Sequence, residues 1–458
     1  MLKVFVFPTQ NNGCGKYRAW SPAAALKKMG LCEIRRGLDV PEDITVGKVQ
    51  EIFEWADVVY TQTFTGLWAS TMFVSGRDSY KKKLIVDLDD SLWDTHPMNV
   101  GTVNDKLFKL NDHFSDDPSK FWEMHQMTQE QWDQYIQGMN DDDRTISNKP
   151  TFAGGTMLEL DGKKVFVKQK NPDARSAANF YLSHADAVTT TNEFLAATIH
   201  RNTGQENIYL TPNCLSSQEW DGIPERQKRD EVWIGWSGSV SHYPDLKFLV
   251  PVLDRLMEKY PQLRIQIMGS SFDYLFPPTR NAQAYGVGGY GGMNNEAVYY
   301  KWEDAGERWP GRMRFDKPVK IQEYSQWMAK NWISDIGIAP LDVNDFNRCK
   351  SELKWCEYSM LGSPTVASKV GPYKAAIRHG VDGLVCGTAR SWQNALERLI
   401  ESPELRNDLA RTARRRILDE YDADRQAHRW SNIFNEVAGM ESGTIPVASE
   451  EGAHVHSL

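Results

Sequence analysis

A chain of 458 residues suits two or three domains rather than one, and its 41% hydrophobic and 11% aromatic content is enough for sizeable cores, which excludes a disordered protein. A net charge of −8 argues against a broad basic surface for duplex DNA, although a local basic groove is compatible with it. Six cysteines (Cys14, Cys32, Cys214, Cys349, Cys356 and Cys386) lack CxxC or zinc-ligand spacing, no leader pattern opens the chain, and no apolar run reaches about 18 residues; the expectation is a cytoplasmic protein with free thiols and no membrane insertion.

The chain opens on a buried-strand pattern over 2–8, then a polar turn, TQNNGCGKYR, and a helix over 19–29. In that turn Gly13 and Gly15 permit close backbone approach to an oxyanion or a sugar, and Arg18 has the reach for a phosphate or carboxylate. The plain alternative is a strand–helix turn with no ligand. A helix over 48–55 precedes strands over 57–61 and 84–88, and apolar strands alternating with helices predict a parallel α/β sheet. VDLDD ends the last of these strands and sets Asp87, Asp89 and Asp90 just after it. The stretch 102–173 breaks the rhythm. It is polar and aspartate-rich, with a helical piece around 128–139 and a hairpin turning at Asp161-Gly162, and reads as an insertion in an N-terminal domain spanning 1–215. The alternation resumes with a strand over 185–190, a helix over 193–202 and a strand over 208–211. A charged segment over 216–230 reads as an interdomain linker.

A second α/β domain is predicted over 231–437, with strands over 232–236, 263–268, 333–338 and 365–367 and helices over 246–260 and 392–400. Helical chain over 403–437 and a flexible tail over 438–458 follow. Trp236, Ser237, Gly238 and Ser239 come directly after the first strand, where backbone N–H groups and the two hydroxyls can bind a diphosphate. His242 either pairs with a phosphate or caps the helix starting near Asp245. A glycine-rich loop, YGVGGYGGMNN, lacks the flanking strand and helix of a P-loop and suits a lid or surface loop. In NRCKSELKWCEYSMLGSPTVAS, a short helix sets Lys350, Lys354 and Glu357 at i, i+4 and i+7, about one face, with Ser351 beside them. Two cations and a carboxylate at a helix start suit a sugar diphosphate, the lysines on phosphate and the Glu on hydroxyls; a solvated Glu–Lys face has the same spacing. Arg411, Arg414, Arg415 and Arg416 read as a solvated helix face rather than a nucleic-acid patch.

This last motif resembles the donor-site helix of GT-B glycosyltransferases of the glycogen-synthase-like family 4, whose signature is Glu, seven residues, Glu, then a Gly-x-Pro turn. Glu357 falls on the second Glu and Gly362/Pro364 on the turn, while Cys349 stands where the first Glu is expected. GCGKYR is similar to the first loop of these enzymes in a form often carried by tailed phages, and DLDD to an Asp-x-Asp-Asp segment of their N-terminal half. TPNC is similar to the segment by which they enter the linker. The family's usual Gly-Arg pair after WSGS is Ser-His-Tyr-Pro-Asp here, so Lys350 and Lys354 are left to meet the phosphate charge.

The resemblance covers 1–101, 174–215 and 230–437. It implies two Rossmann-like domains facing across a cleft, with the donor on the second and Gly13, Gly15, Arg18, Asp89 and Asp90 on acceptor-side loops. It further implies transfer from a nucleotide diphosphate sugar, with retention, to an unidentified acceptor: a modified base in phage DNA, a glycan, a lipid or a small molecule. Neither a metal nor any cofactor beyond the donor is expected, because lysines and backbone amides supply the positive charge. Two other readings stand beside it. One is a catalytically inert GT-B-like binding protein, suggested by the missing first Glu. The other is a haloacid-dehalogenase-like phosphatase, since Asp87 and Asp89 after a buried strand look like that family's nucleophile and acid–base pair.

Overall fold

A computed structural model describes residues 1–9, 12–37, 44–64, 66–93, 155–160, 163–168, 172–220, 229–238, 242, 245–246, 248–269, 309 and 311–440. Ser239, the helical piece at 128–139, the Asp161-Gly162 turn, the glycine-rich loop and the end of the tail lie outside them.

β1 (Lys3–Phe7) alternates between half-buried and buried residues and leads through a helical turn, Gly13–Gly15, and a π-turn, Lys16–Trp20, into α1 (Ser21–Lys28). Pro22 follows directly on the π-turn and has no N–H for the Arg18 carbonyl four residues back, which accepts from the Tyr60 hydroxyl at 3.0 Å instead. Then come β2 (Glu33–Arg36), α2 (Val46–Trp55), β3 (Val58–Gln62), α3 (Leu67–Tyr80) and β4 (Lys83–Leu88). An antiparallel hairpin of β5 (Gly155–Leu160) and β6 (Lys163–Lys168) precedes α4 (Pro172–Ser183), β7 (Ala187–Thr190), α5 (Glu193–Thr203) and β8 (Ile208–Leu210). Six strands form one parallel sheet in the order β2-β1-β3-β4-β7-β8. β3, β7 and five of the six residues of β4 are buried, as continuous apolar strands covered on both faces should be.

The second half holds β9 (Val232–Gly238), α6 (Val250–Lys259), β10 (Leu263–Gly269), β11 (Met313–Asp316), α7 (Tyr324–Asn331), β12 (Ile336–Ala339) and α8 (Asp345–Arg348). It continues with α9 (Leu353–Met360), β13 (Thr365–Ser368), α10 (Gly371–Ala376), β14 (Leu384–Cys386), α11 (Ala389–Glu401), α12 (Pro403–Glu420) and α13 (Ala423–Ala438). Its parallel sheet has the order β11-β10-β9-β12-β13-β14, that of a Rossmann fold. The sequence reading missed β2, β11 and β14, strands of four, four and three residues. Two of them, EIRR and MRFD, show no buried alternation because they lie at sheet edges. The helical chain expected over 403–437 is two helices, broken where Asp422 caps α13 and Leu215 bridges to Asp422.

Each sheet is packed on both faces. One core of the second half joins β9, β10 and β12 to α6 and α11. The other takes in α9 and α12 and extends to Tyr17, Leu215 and Trp220, so it crosses from one half to the other. α13 returns to the first half: the rings of Trp430 and Phe434 lie 5.4 and 5.8 Å from that of Tyr60, within a core that includes β1. None of the six cysteines is in a disulfide. Among the described residues, no helix is long and apolar enough to cross a membrane.

Candidate active site

β9 and β12 are neighbours from which the chain departs in opposite directions across the sheet, and the carboxyl ends of such strands are where α/β folds bind ligands. Gly238 ends β9 and pairs with Gly269, whose φ of +100° suits glycine. A side chain at Gly238 would run into the ring of Trp236 and come within 3.3 Å of Lys354 Nζ. Glycine there opens the space in which this lysine ends.

Lys354 rises from the first turn of α9. Its Nζ lies 5.6 Å from the Trp236 ring centre and 3.3 Å from His242 Nε2. Burial lowers the lysine pKa to about 8; Glu357, Asp245 and Asp90 pull it upward and Lys350 pulls it down. His242 is lowered to about 3, first by burial and then by Lys354 and Lys350, so its ring is neutral. Its Nδ1 lies 2.7 Å from Asp245 Oδ2, and the other Asp245 oxygen accepts from the Asp342 backbone N–H and from Asn347 Nδ2, each at 2.7 Å. Burial alone would raise the Asp245 carboxyl, but these bonds hold it below its ordinary value.

Glu357, one turn further along α9, is buried and accepts from the hydroxyls of Tyr17 at 2.7 Å and Tyr324 at 3.2 Å. Burial raises its pKa against the pull of those bonds and of Lys354. Lys354 and Glu357 share a helix, but Lys350 does not. It lies between α8 and α9, with Nζ 4.4 Å from the Phe346 ring centre, because α9 starts only at Leu353. The three-residue face read from the spacing is therefore a two-residue face with a lysine entering from the preceding turn. Ser351 accepts from Asn213 Nδ2 at 2.8 Å, and Asn192 Nδ2 donates to the carbonyls of Cys349 and Lys350 at 3.0 and 2.9 Å. Both asparagines come from the first half. Cys349 itself is buried in the core of that half.

Other expected contacts are used internally. Trp236, Ser237 and Gly238, expected in a loop after the strand, are the last residues of β9 itself; the Ser237 N–H donates to the Tyr358 hydroxyl at 3.0 Å, Trp236 and Ser237 are buried, and Gly238 is half-buried. Arg18, expected to reach an anionic ligand, is fully buried instead. It makes a bidentate pair with Asp87, with Nη2 2.6 Å from Oδ1, and donates to the Thr211 carbonyl and hydroxyl at 2.5 and 2.7 Å. Burial opposes the guanidinium charge and Asp87 more than offsets it, raising the Arg18 pKa. Asp87 also accepts from Thr189 Oγ1 at 2.6 Å, which places it out of reach as the phosphatase nucleophile. Gly13 and Gly15 have no positive φ; they form a helical turn in which Asn12 caps the Gly15 N–H at 3.3 Å.

Asp89 and Asp90 are half-buried at the carboxyl edge of the first sheet. Asp89 is raised to about 7 by burial and then by Asp90 and Asp87, and it bonds the Cys14 thiol, itself pushed up by burial. Asp90 is close enough to act on Lys354 from across the cleft. Sequence reading missed Tyr17, Tyr324, Asn192, Asn213 and Asn347. Tyr17 and Glu357 are 340 positions apart, and no local periodicity reports such a contact.

A family described as glycosyl transferase-like matches residues 250–432, a segment that contains α9. A D-inositol 3-phosphate glycosyltransferase from Thermobispora bispora is 27% identical over 139 residues, which cover only 30% of this chain and 30% of the relative. HepE from Anabaena, solved with UDP and glucose, superposes with a TM-score of 0.53 at 14% identity, over 95% of this chain and all of that one. A sucrose-phosphate synthase from Thermosynechococcus elongatus gives 0.55 at 12% identity, over 96% and 100%. These likenesses and the two parallel sheets establish the architecture: two α/β domains in the GT-B arrangement.

Proposed function

We propose that the protein transfers a glycosyl group from a nucleotide diphosphate sugar to an acceptor. The observation that carries this reading is the cation–carboxylate pair Lys354 and Glu357 on one helix, beside the strand ends where α/β sheets take ligands, within the segment that matches a glycosyl transferase-like family. The Lys354 ammonium would neutralise charge on the departing diphosphate, with Lys350 adding to the local field. Glu357 would accept hydroxyls of ribose or sugar, since a carboxylate holding two tyrosine bonds still has acceptor capacity. HepE, a structural neighbour, is described with UDP-glucose, which suits a uridine donor here. Such chemistry needs no side-chain nucleophile, and retention through same-face attack is the stereochemical proposal. The acceptor side is assigned to Asp89 and Asp90, and modified DNA, a glycan or a small molecule are the acceptor classes proposed, in the cytoplasm.

The test incubates the protein with UDP-, GDP-, ADP- and TDP-sugars and follows release of the nucleoside diphosphate, with and without EDTA. Donor-dependent release that survives EDTA is expected. Nucleotide binding without any sugar release would make the chain a GT-B-like binding protein. Activity wholly restored by magnesium would move the chemistry to Asp89 and Asp90. Mass spectrometry of DNA and glycans from expressing cells identifies the acceptor.

A further inference from the structure

We propose that Asp245 and His242 form a positioning relay that aims the Lys354 ammonium. This rests on the reading that Lys354 meets the donor diphosphate, and it assigns His242 a different task from binding phosphate itself.

The argument starts with hydrogen-bond direction. The Asp245 carboxylate only accepts, so the His242 nitrogen 2.7 Å away must be its Nδ1–H donor. A neutral imidazole with its proton on Nδ1 has a lone pair on Nε2, and that lone pair lies 3.3 Å from Lys354 Nζ. An ammonium only donates, so the contact is Lys354 N–H to Nε2. Both ring nitrogens are thereby committed, and neither has a proton left to give a phosphate. The ammonium keeps two further N–H groups for a ligand.

Each link is fixed from behind. Asp245 is held by the Asp342 N–H and Asn347 Nδ2, both from the loop and helix after β12. The His242 ring packs edge-on against Trp236, at 5.8 Å between centres, and Trp236 also lies under the lysine. The two β-strands at the sheet's turning point are thus tied through one imidazole to α9. The charged groups acting on Lys354 are Lys350 from the turn before α9, Glu357 from α9 itself, Asp245, and Asp90 from the first half. A long, flexible lysine among charges of both signs has many orientations open to it. A neutral acceptor fixes its direction without cancelling its charge.

The test uses the intact protein and three variants. His242→Phe removes both bonds. His242→Asn keeps a donor toward Asp245 but withdraws the acceptor from Lys354. His242→Gln sets an amide oxygen near the position of Nε2. The first readout needs no ligand: the Lys354 side-chain NMR signal is titrated, with Lys354→Ala to assign it. Loss of an acceptor from the charged form should move the lysine titration to lower pH in the Phe and Asn variants, with Gln returning toward wild type. The second readout is affinity for UDP, GDP, ADP and TDP against pH. Binding that needs the charged lysine is present below its pKa and lost as pH rises through it, so the alkaline loss should begin earlier in the Phe and Asn variants, with affinity about ten-fold weaker at pH 8. If the Phe variant does not fold, the contrast between Asn and Gln decides. An unchanged Lys354 titration in the Asn and Phe variants overturns the relay, whatever nucleotides do. A wild-type protein that binds none of the four nucleotides while the titration shifts as expected supports the relay and sinks the donor-site reading instead.

Discussion

Lys354 and Lys350 looked equivalent by spacing, and the geometry separates them. Lys354 is directed by His242 over the Trp236 ring, while Lys350 rests its charge on the ring of Phe346 one turn earlier. Lys354→Ala should therefore lower donor use by about 10- to 100-fold, the loss of one desolvated charge-assisted bond of ~1.5–3 kcal/mol. Lys350→Ala should have the smaller effect, since its contribution is through the field alone. Steady-state kinetics on both variants check this; equal losses would return the two lysines to one face. Lys354 and Glu357 were legible in the sequence because a helix face is a local pattern. Arg18 was not, because its partners Asp87 and Thr211 lie 69 and 193 positions away. The Cys349 departure from the expected Glu also has a structural reason: that position is buried in the core of the other half, where a carboxylate would be desolvated.

Between elements, the Arg18–Asp87 pair is the main polar tie of the first half. It joins the π-turn after β1 to the end of β4 and to the segment after β8, and the guanidinium stacks 5.7 Å from the Trp430 ring of α13. Removing one member of a buried pair strands the other charge, so Arg18→Met should destabilise the protein by roughly 3–5 kcal/mol. Adding Asp87→Leu should recover part of that loss, because no charge is then left uncompensated. Denaturant melts of the single and double variants measure it, and a double variant no more stable than the single would contradict the account. The alternation of strands and helices was readable from apolar runs of five to seven residues such as β1, β3, β4 and β9. The edge strands β2 and β11 carried too little burial to register, and β14 is only three residues long.

At the scale of the whole molecule, the halves meet through residues of the candidate site. Tyr17 reaches Glu357, Lys16 reaches Glu219 and Ser325 at 2.5 and 2.7 Å, and Asn192 and Asn213 hold the turn before α9. α9 and the turn after β1 are thus coupled by direct bonds, which no single domain's sequence could announce. The stretch of residues 94–171, between Trp93 and α4, takes in nearly all of the insertion expected over 102–173 and interrupts the first half after Asp89 and Asp90. Its two ends are fastened together: Arg175 Nη2 donates to the Trp93 carbonyl and the Trp93 indole N–H donates to Asn179 Oδ1, both at 2.9 Å. Because these anchors come from α4 and from Trp93 just beyond β4, the stretch can be replaced by a short linker without separating the elements it connects. The proposed donor contacts, Lys350, Lys354 and Glu357, all lie on the second half, so the replacement should leave nucleoside diphosphate affinity within about two-fold. Specificity for the second substrate is expected in loops of the first half, so transfer to the natural acceptor should be lost while slow hydrolysis of the donor persists. A folded deletion variant that transfers at the wild-type rate would assign acceptor choice to the loops after β1 and β3 instead.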